Sequence, residues 1–179
     1  MPEPGATPTP AAVLMPFYLD ADGAPRIVLI ERTPHGRHGG QIALPGGKWE
    51  PVDATMRDTA IRETCEELGV TSDTLEVLDE LPALQTRSTG FLVWPFVGRL
   101  RAVPPQWRPQ EREVASVLDL AVTDLLDPAV RDEENMHFPT WKVHMRVPVW
   151  RIPDHIIWGL TLRILEPVLP RIMAGDYPI

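Results

Sequence analysis

Apolar residues run almost unbroken through residues 11–18 and again through 25–32, with Asp20, Asp22 and Gly23 between the two runs. That pattern predicts a β-hairpin closed by a short polar turn. Residues 33–41, rich in Gly, His and Arg, read as a loop. Residues 42–44 then lead into Pro45-Gly46-Gly47, a sharp bend of the backbone. Residues 54–68 contain neither Gly nor Pro and favour a helix, which Gly69 terminates. Further strands are predicted at 75–81, 90–103 and 114–120, and Pro95 makes the second of these an edge strand or an interrupted one.

The C-terminal third predicts a helical turn at 121–126, a polar connection at 127–135, a second hairpin pairing 136–142 with 145–152, and a helix over 155–174 kinked or shortened by Pro167 and Pro170. Strand pairs before and after the first helix argue for a mixed sheet flanked by helices. Residues 1–10 have almost nothing to bury and read as a flexible tail, leaving residues 11–179 as one domain.

Composition narrows the partners. Of 179 residues, 44% are hydrophobic, enough for one buried core. No apolar run approaches the ~18 residues of a membrane span, and no export signal precedes the first strand, so a cytoplasmic protein without a membrane partner is expected. The single Cys65 has no partner for a disulfide or a zinc site and reads as a small core residue. A net charge of -8 disfavours nucleic acid polymers. A small phosphorylated substrate is compatible with that charge when metal ions bridge carboxylates and phosphates. Monomer and homodimer both remain open.

Residues 46–53 and 62–70 carry the chemistry. At about 100° per residue, Ile61, Cys65 and Leu68 fall in one sector, expected to face the core, with Arg62, Glu63, Glu66 and Glu67 on the other side. Glu63 precedes Glu66 and Glu67 by three and four residues, so the three side chains can converge over one turn. Gathered carboxylates repel one another, and hard divalent cations such as Mg2+ or Mn2+ suit such an oxygen-rich arc. Arg62 can hold one glutamate through a forked hydrogen bond.

Gly47, then Asp53 after five residues, then Arg62-Glu63-Thr64-Cys65-Glu66-Glu67-Leu68-Gly69-Val70, resembles the Nudix box. The box reads Gly, five residues, Glu, seven residues, then Arg-Glu-apolar-x-Glu-Glu-x-Gly-apolar. Three positions depart from it: Asp53 replaces the first Glu, eight residues separate Asp53 from Arg62, and Thr64 occupies an apolar position. Asp53 is also placed to cap a helix starting at Ala54. The resemblance implies a Nudix-like α/β/α sandwich with a mixed central sheet, and a metal-dependent diphosphatase. It also implies metal ligation by Glu63, Glu66, Glu67 and the Gly46 carbonyl, with Glu63 or Glu67 as general base and Arg62 beside them. A further acidic ligand from a later segment is expected at Glu113, with Glu111 as its rival.

The run Arg32-Thr33, Arg37-His38-Gly39-Gly40-Gln41-Ile42-Ala43-Leu44-Pro45-Gly46-Gly47 is similar to the extra signature of coenzyme A diphosphatases within that superfamily, with Leu44 where Phe is usual. Residues 86–91 and 157–161 resemble subgroup segments as well. The substrate implied is coenzyme A or a thioester, with Arg32, Arg37 and Gly47 contacting it; charge-assisted contacts to phosphate suit both arginines. His38 reads as a phosphate contact or a solvated loop residue, and Trp94 and Trp158 as pocket walls or core. ADP-ribose, dinucleotides, nucleotide sugars and nucleoside triphosphates are the alternative substrates. A non-catalytic nucleotide-binding domain is the alternative class.

Overall fold

The computed structural model describes residues 7–34, 39–86, 90–104, 106–138 and 142–179. In chain order the described elements are β1 (Thr9–Leu19), β2 (Pro25–Arg32), β3 (Ile42–Ala43), β4 (Gly46–Lys48), α1 (Met56–Leu68), β5 (Leu75–Glu80), β6 (Leu84–Gln85), β7 (Phe91–Leu100), β8 (Val114–Ala121), α2 (Val122–Leu126), β9 (Arg131–Phe138), β10 (Val143–Ile152), β11 (His155–Trp158) and α3 (Gly159–Met173).

The first hairpin forms as expected. Its turn is closed by the Asp20 carboxylate, which accepts from the Asp22 and Ala24 amides at 3.0 and 2.9 Å. Strand β1 starts at Thr9, two residues before the expected start, because the Thr9 amide donates to the Gly90 carbonyl at 2.9 Å and the Pro10 carbonyl accepts from Trp49 at 3.1 Å.

The two strands of this hairpin then part. One edge of β2 is taken by β8 along its length, and one edge of β1 by β7, which runs parallel to it and makes the sheet mixed. Only Phe17 to Leu19 pair with β2. Beyond them β3 pairs with β2 and β4 with β1, so the segment carrying Pro45, Gly46 and Gly47 is wedged between the two strands. The Leu14 amide fastens the wedge by donating to the Pro45 carbonyl at 2.9 Å.

Both faces of the sheet are covered, and β1 and β2 therefore read as continuous apolar runs. Met15, Phe17, Ile27 and Leu29 pack on one side with Leu162, Leu165, Val168 and Leu169 of α3. Ala12, Leu14, Val28 and Ile30 pack on the other with Ala60 and Leu68 of α1. The three layers are the α/β/α sandwich that the sequence implied. Among the described residues no helix is long and apolar enough to cross a membrane.

Several expectations are corrected. Strand β7 is neither an edge strand nor interrupted at Pro95. The Pro95 carbonyl accepts from Leu81 at 2.9 Å, so its nitrogen faces the same side, into the gap between β5 and β6 where no amide is needed. The polar connection at 127–135 contains most of β9, an exposed strand held by cross-strand ion pairs such as Arg146–Glu133 at 2.8 Å, which leaves no apolar alternation to read. Residues 155–158 form β11, not helix; a turn with Asp154 at φ +62 folds them back onto β10, and Gly159 at φ +65 opens α3 directly after them. Helix α3 continues through Pro167 and Pro170 because both lie on its water face. Arg163 and Glu166, whose carbonyls lose an amide partner to the prolines four residues on, are exposed, and the apolar stripe stays buried.

Candidate active site

Helix α1 starts one turn past Asp53. Its N-cap is Thr55, whose side chain accepts from the Asp58 amide while the Asp58 carboxylate accepts from the Thr55 amide, a complete capping box. Gly69 at φ +69 ends it, as expected. The capping role considered for Asp53 is therefore corrected. Instead Asp53 is buried and accepts Arg62 Nε on Oδ1 at 2.8 Å and Arg62 Nη2 on Oδ2 at 2.9 Å. The Glu50 amide and the Thr59 hydroxyl also donate to Oδ2, at 3.0 and 2.9 Å. The Arg62 hydrogen bonds hold the Asp53 carboxyl down at about 2 against the cost of burial, and they raise the proton affinity of Arg62 in turn.

Asp53 thus takes the guanidinium fork that the sequence offered to a glutamate. The remaining Arg62 nitrogen reaches Glu63 Oε1 at 3.0 Å and Glu66 Oε1 at 3.5 Å, and Nη2 also donates to the Lys48 carbonyl at 3.1 Å. Arg62 is locked between the β4 segment and two of the three acids.

The buried face of α1 is rotated from the expected one. Thr59, Ala60, Thr64, Glu67 and Leu68 are buried, whereas Ile61 and Cys65 are half-buried at the margin of the core. Small residues at 60 and 64 let the helix lie close to β1 and β4. Thr64 is tolerated in the apolar slot of the box because its hydroxyl donates to the Ala60 carbonyl one turn back, at 2.7 Å. Glu67, expected on the open side, is 1% exposed.

The glycines meet the acids directly. The Gly46 amide donates to Glu67 Oε2 at 2.8 Å. A Cβ on Gly47 would lie 2.4 Å from the Glu63 carboxyl carbon, and one on Gly46 would lie 2.2 Å from the Ala12 carbonyl oxygen. Only glycine permits the wedge to sit between β1 and the acids.

Burial pushes the Glu67 carboxyl up to about 8; the Gly46 amide and the Arg32 charge pull it down, and Glu63 and Glu113 add to the rise. Glu63 is raised as well, first by burial, against the pull of Arg62, with Glu66 and Glu113 contributing. Glu113, at the head of β8 where its carbonyl accepts from the Thr33 amide at 3.0 Å, is therefore within electrostatic reach of both acids. Glu111 lies two residues earlier at an exposed position. Glu66 is the outward member of the trio, its side chain 48% exposed.

As placed, no three acidic, histidine or cysteine side chains among the described residues are gathered closely enough to enclose an ion. Arg62 pairs with Glu63, which lies against Gly47, and with the outward Glu66. The donor set still fits a hard divalent cation, because it consists of carboxylate oxygens. Arg37 and His38 lie outside the described residues, as do Arg87, Ser88 and Thr89. Trp94 packs half-buried on the α1 side, and Trp158 meets Phe138 edge-on with centroids 6.1 Å apart.

A sandwich of this kind, with an Arg-Glu-x-x-Glu-Glu helix laid on a wedged Pro-Gly-Gly bend, defines a class. The chain belongs to the NUDIX domain family, whose model matches residues 8–139. It is similar to the uncharacterized Nudix hydrolase NudL of Yersinia enterocolitica, 34% identical over 171 residues that cover 92% of this chain and 84% of that one. NudL of Yersinia pestis is 33% identical over 162 residues, covering 90% and 78%. Among solved structures, the NUDIX domain of Shewanella oneidensis NrtR complexed with ADP ribose superposes with a TM-score of 0.60 at 15% identity, over 96% of this chain and 93% of that one. The M. smegmatis Nudix hydrolase RenU gives 0.55 at 22%, over 66% and 74%. These two likenesses concern the fold. The protein is a Nudix hydrolase, an enzyme acting on a diphosphate linkage, of a family that generally uses divalent metals.

Proposed function

We propose that this enzyme hydrolyses the diphosphate of coenzyme A or its thioesters, releasing a phosphopantetheine product and adenosine 3',5'-bisphosphate, with Mg2+ or Mn2+ as the metal. The observation that carries the reading is the placement of Arg32. It ends β2, its amide donates to the Gln41 carbonyl and its carbonyl accepts from the Gly40 amide, both at 3.0 Å, so the stem of the signature loop is pinned. Its charge is felt by Glu67. A guanidinium there suits a substrate phosphate beside the scissile linkage.

In this reading Glu63, Glu66, Glu67, Glu113 and the Gly46 carbonyl hold the metal, which supplies charge neutralisation at the phosphoryl oxygens and a more acidic water. Arg62, fixed by Asp53, positions Glu63. Gly47 leaves room for the substrate and for the Glu63 carboxyl. Glu63 or Glu67, the two acids against the glycine wedge, takes the proton of the attacking water. Arg32 and Arg37 contact the substrate's phosphates.

Products identified by mass spectrometry after incubation with Mg2+ or Mn2+ test the assignment. Coenzyme A is expected to be cleaved with a kcat/KM at least about tenfold above ADP-ribose, dinucleotides, nucleotide sugars and nucleoside triphosphates, a difference of about 1.4 kcal/mol. Equal or faster turnover of any of these sinks the coenzyme A reading.

A further inference from the structure

The ribbon of β9 and β10 carries a second cluster of metal-ligating side chains, on a sheet separate from the one that the carboxylate helix packs against. Antiparallel pairing sets His144 opposite His137, Arg146 opposite Asn135, and Pro148 opposite Glu133, so these residues share one face. Both histidines are exposed. Their rings lie 4.7 Å apart, centroid to centroid, inclined by 33°. The next cation on that face, Arg146, is already paired with Glu133 at 2.8 Å.

We infer that His137 and His144 form a bidentate chelate for a borderline transition-metal dication such as Ni2+, Cu2+ or Zn2+, with water completing the coordination. Imidazole nitrogens bind these ions at about 2.0–2.1 Å, which puts the centroids of two rings on one ion roughly 4.5–5 Å apart. The observed separation already meets that requirement, so chelation needs ring rotation and no movement of the strands. Two imidazoles select against the hard ions that suit the carboxylate helix, so the two sites divide metals by chemistry. A bound ion would also staple two strands that are held here mainly by their own ladder and exposed ion pairs.

Calorimetric titration of the untagged protein with Ni2+, in excess Mg2+ to occupy the carboxylates, tests the site. One equivalent is expected to bind, and Ni2+ is expected to raise the melting temperature. His137→Ala and His144→Ala should each weaken binding by at least about tenfold, since loss of an outer partner of a ligand already costs that much. His155→Ala, on β11, should leave it unchanged. Absence of Ni2+ binding in the wild type, or affinity retained in both single variants, overturns the assignment. Turnover with Mg2+ should be the same in all three variants.

Discussion

Asp53 grips the Arg62 guanidinium on two hydrogen bonds, 2.8 and 2.9 Å long, from nine residues earlier in the chain. Through Arg62 that grip reaches Glu63, so a residue remote from the proposed substrate sets the position of a proposed metal ligand. Asp53→Asn should lower kcat by about 10–100-fold, the usual cost of losing the partner that orients a ligand. It should also raise the metal concentration needed for half-maximal rate. A variant with unchanged metal dependence would show that Arg62 holds its place without Asp53.

The same pair makes stability depend on acid. The folded carboxyl of Asp53 is depressed from 3.8 to about 2, so its contribution is present above about pH 4 and lost as pH falls through 2. The shift corresponds to about 2 kcal/mol. Denaturant unfolding of the wild type and of Asp53→Asn should therefore differ by that order at pH 6, and the gap should close between about pH 4 and 2.

Glu67 has the opposite sign. Its folded carboxyl is raised from 4.5 to about 8, so its own contribution to the stability of the metal-free protein is fully present below about pH 4.5 and is lost as pH rises towards and through 8. Melting curves in chelator should show that decline. Added Mg2+ should reduce it, because a cation favours the charged carboxylates. Glu67→Gln should shrink the decline in chelator, leaving only the smaller part that the raised Glu63 carboxyl contributes.

That substitution also separates chemistry from folding. The amide side chain it introduces would keep an oxygen for the Gly46 amide while removing the buried charge. The variant should fold with undiminished stability at pH 8 and lose at least about 100-fold in turnover. Full activity would remove Glu67 from the proposed machinery.

The two glycines should fail differently. Gly47→Ala puts a methyl 2.4 Å from the Glu63 carboxyl carbon, so it should displace that side chain and cost about 100-fold in rate with the fold preserved. Gly46→Ala meets the backbone of Ala12 and Val13 at a positive φ, and it should lower the melting temperature or prevent folding. Circular dichroism beside an activity assay distinguishes the two.

Arg32→Ala should raise KM for coenzyme A by roughly 10–100-fold, the worth of a hydrogen bond to a charged group, while kcat changes little. A fall in kcat with KM unchanged would place Arg32 in the chemical step.

The first hairpin and the helix that carries Glu63, Glu66 and Glu67, with its Gly69 end, were legible along the chain, because each is a short-range pattern of period, cap and spacing. The chain also carried a readable mark for β11, the glycine at 159, inside a stretch whose apolar content suited a longer helix. Packing in three dimensions was needed to part β1 from β2 around the Pro-Gly-Gly wedge, to seat Pro95 in an internal strand, and to turn Glu67 inward. Those outcomes depend on which strand edges are already taken and on how closely Ala60 and Thr64 let α1 approach the sheet. A helical period fixes the angles between side chains on α1, but only the surface it packs against selects the face that is buried.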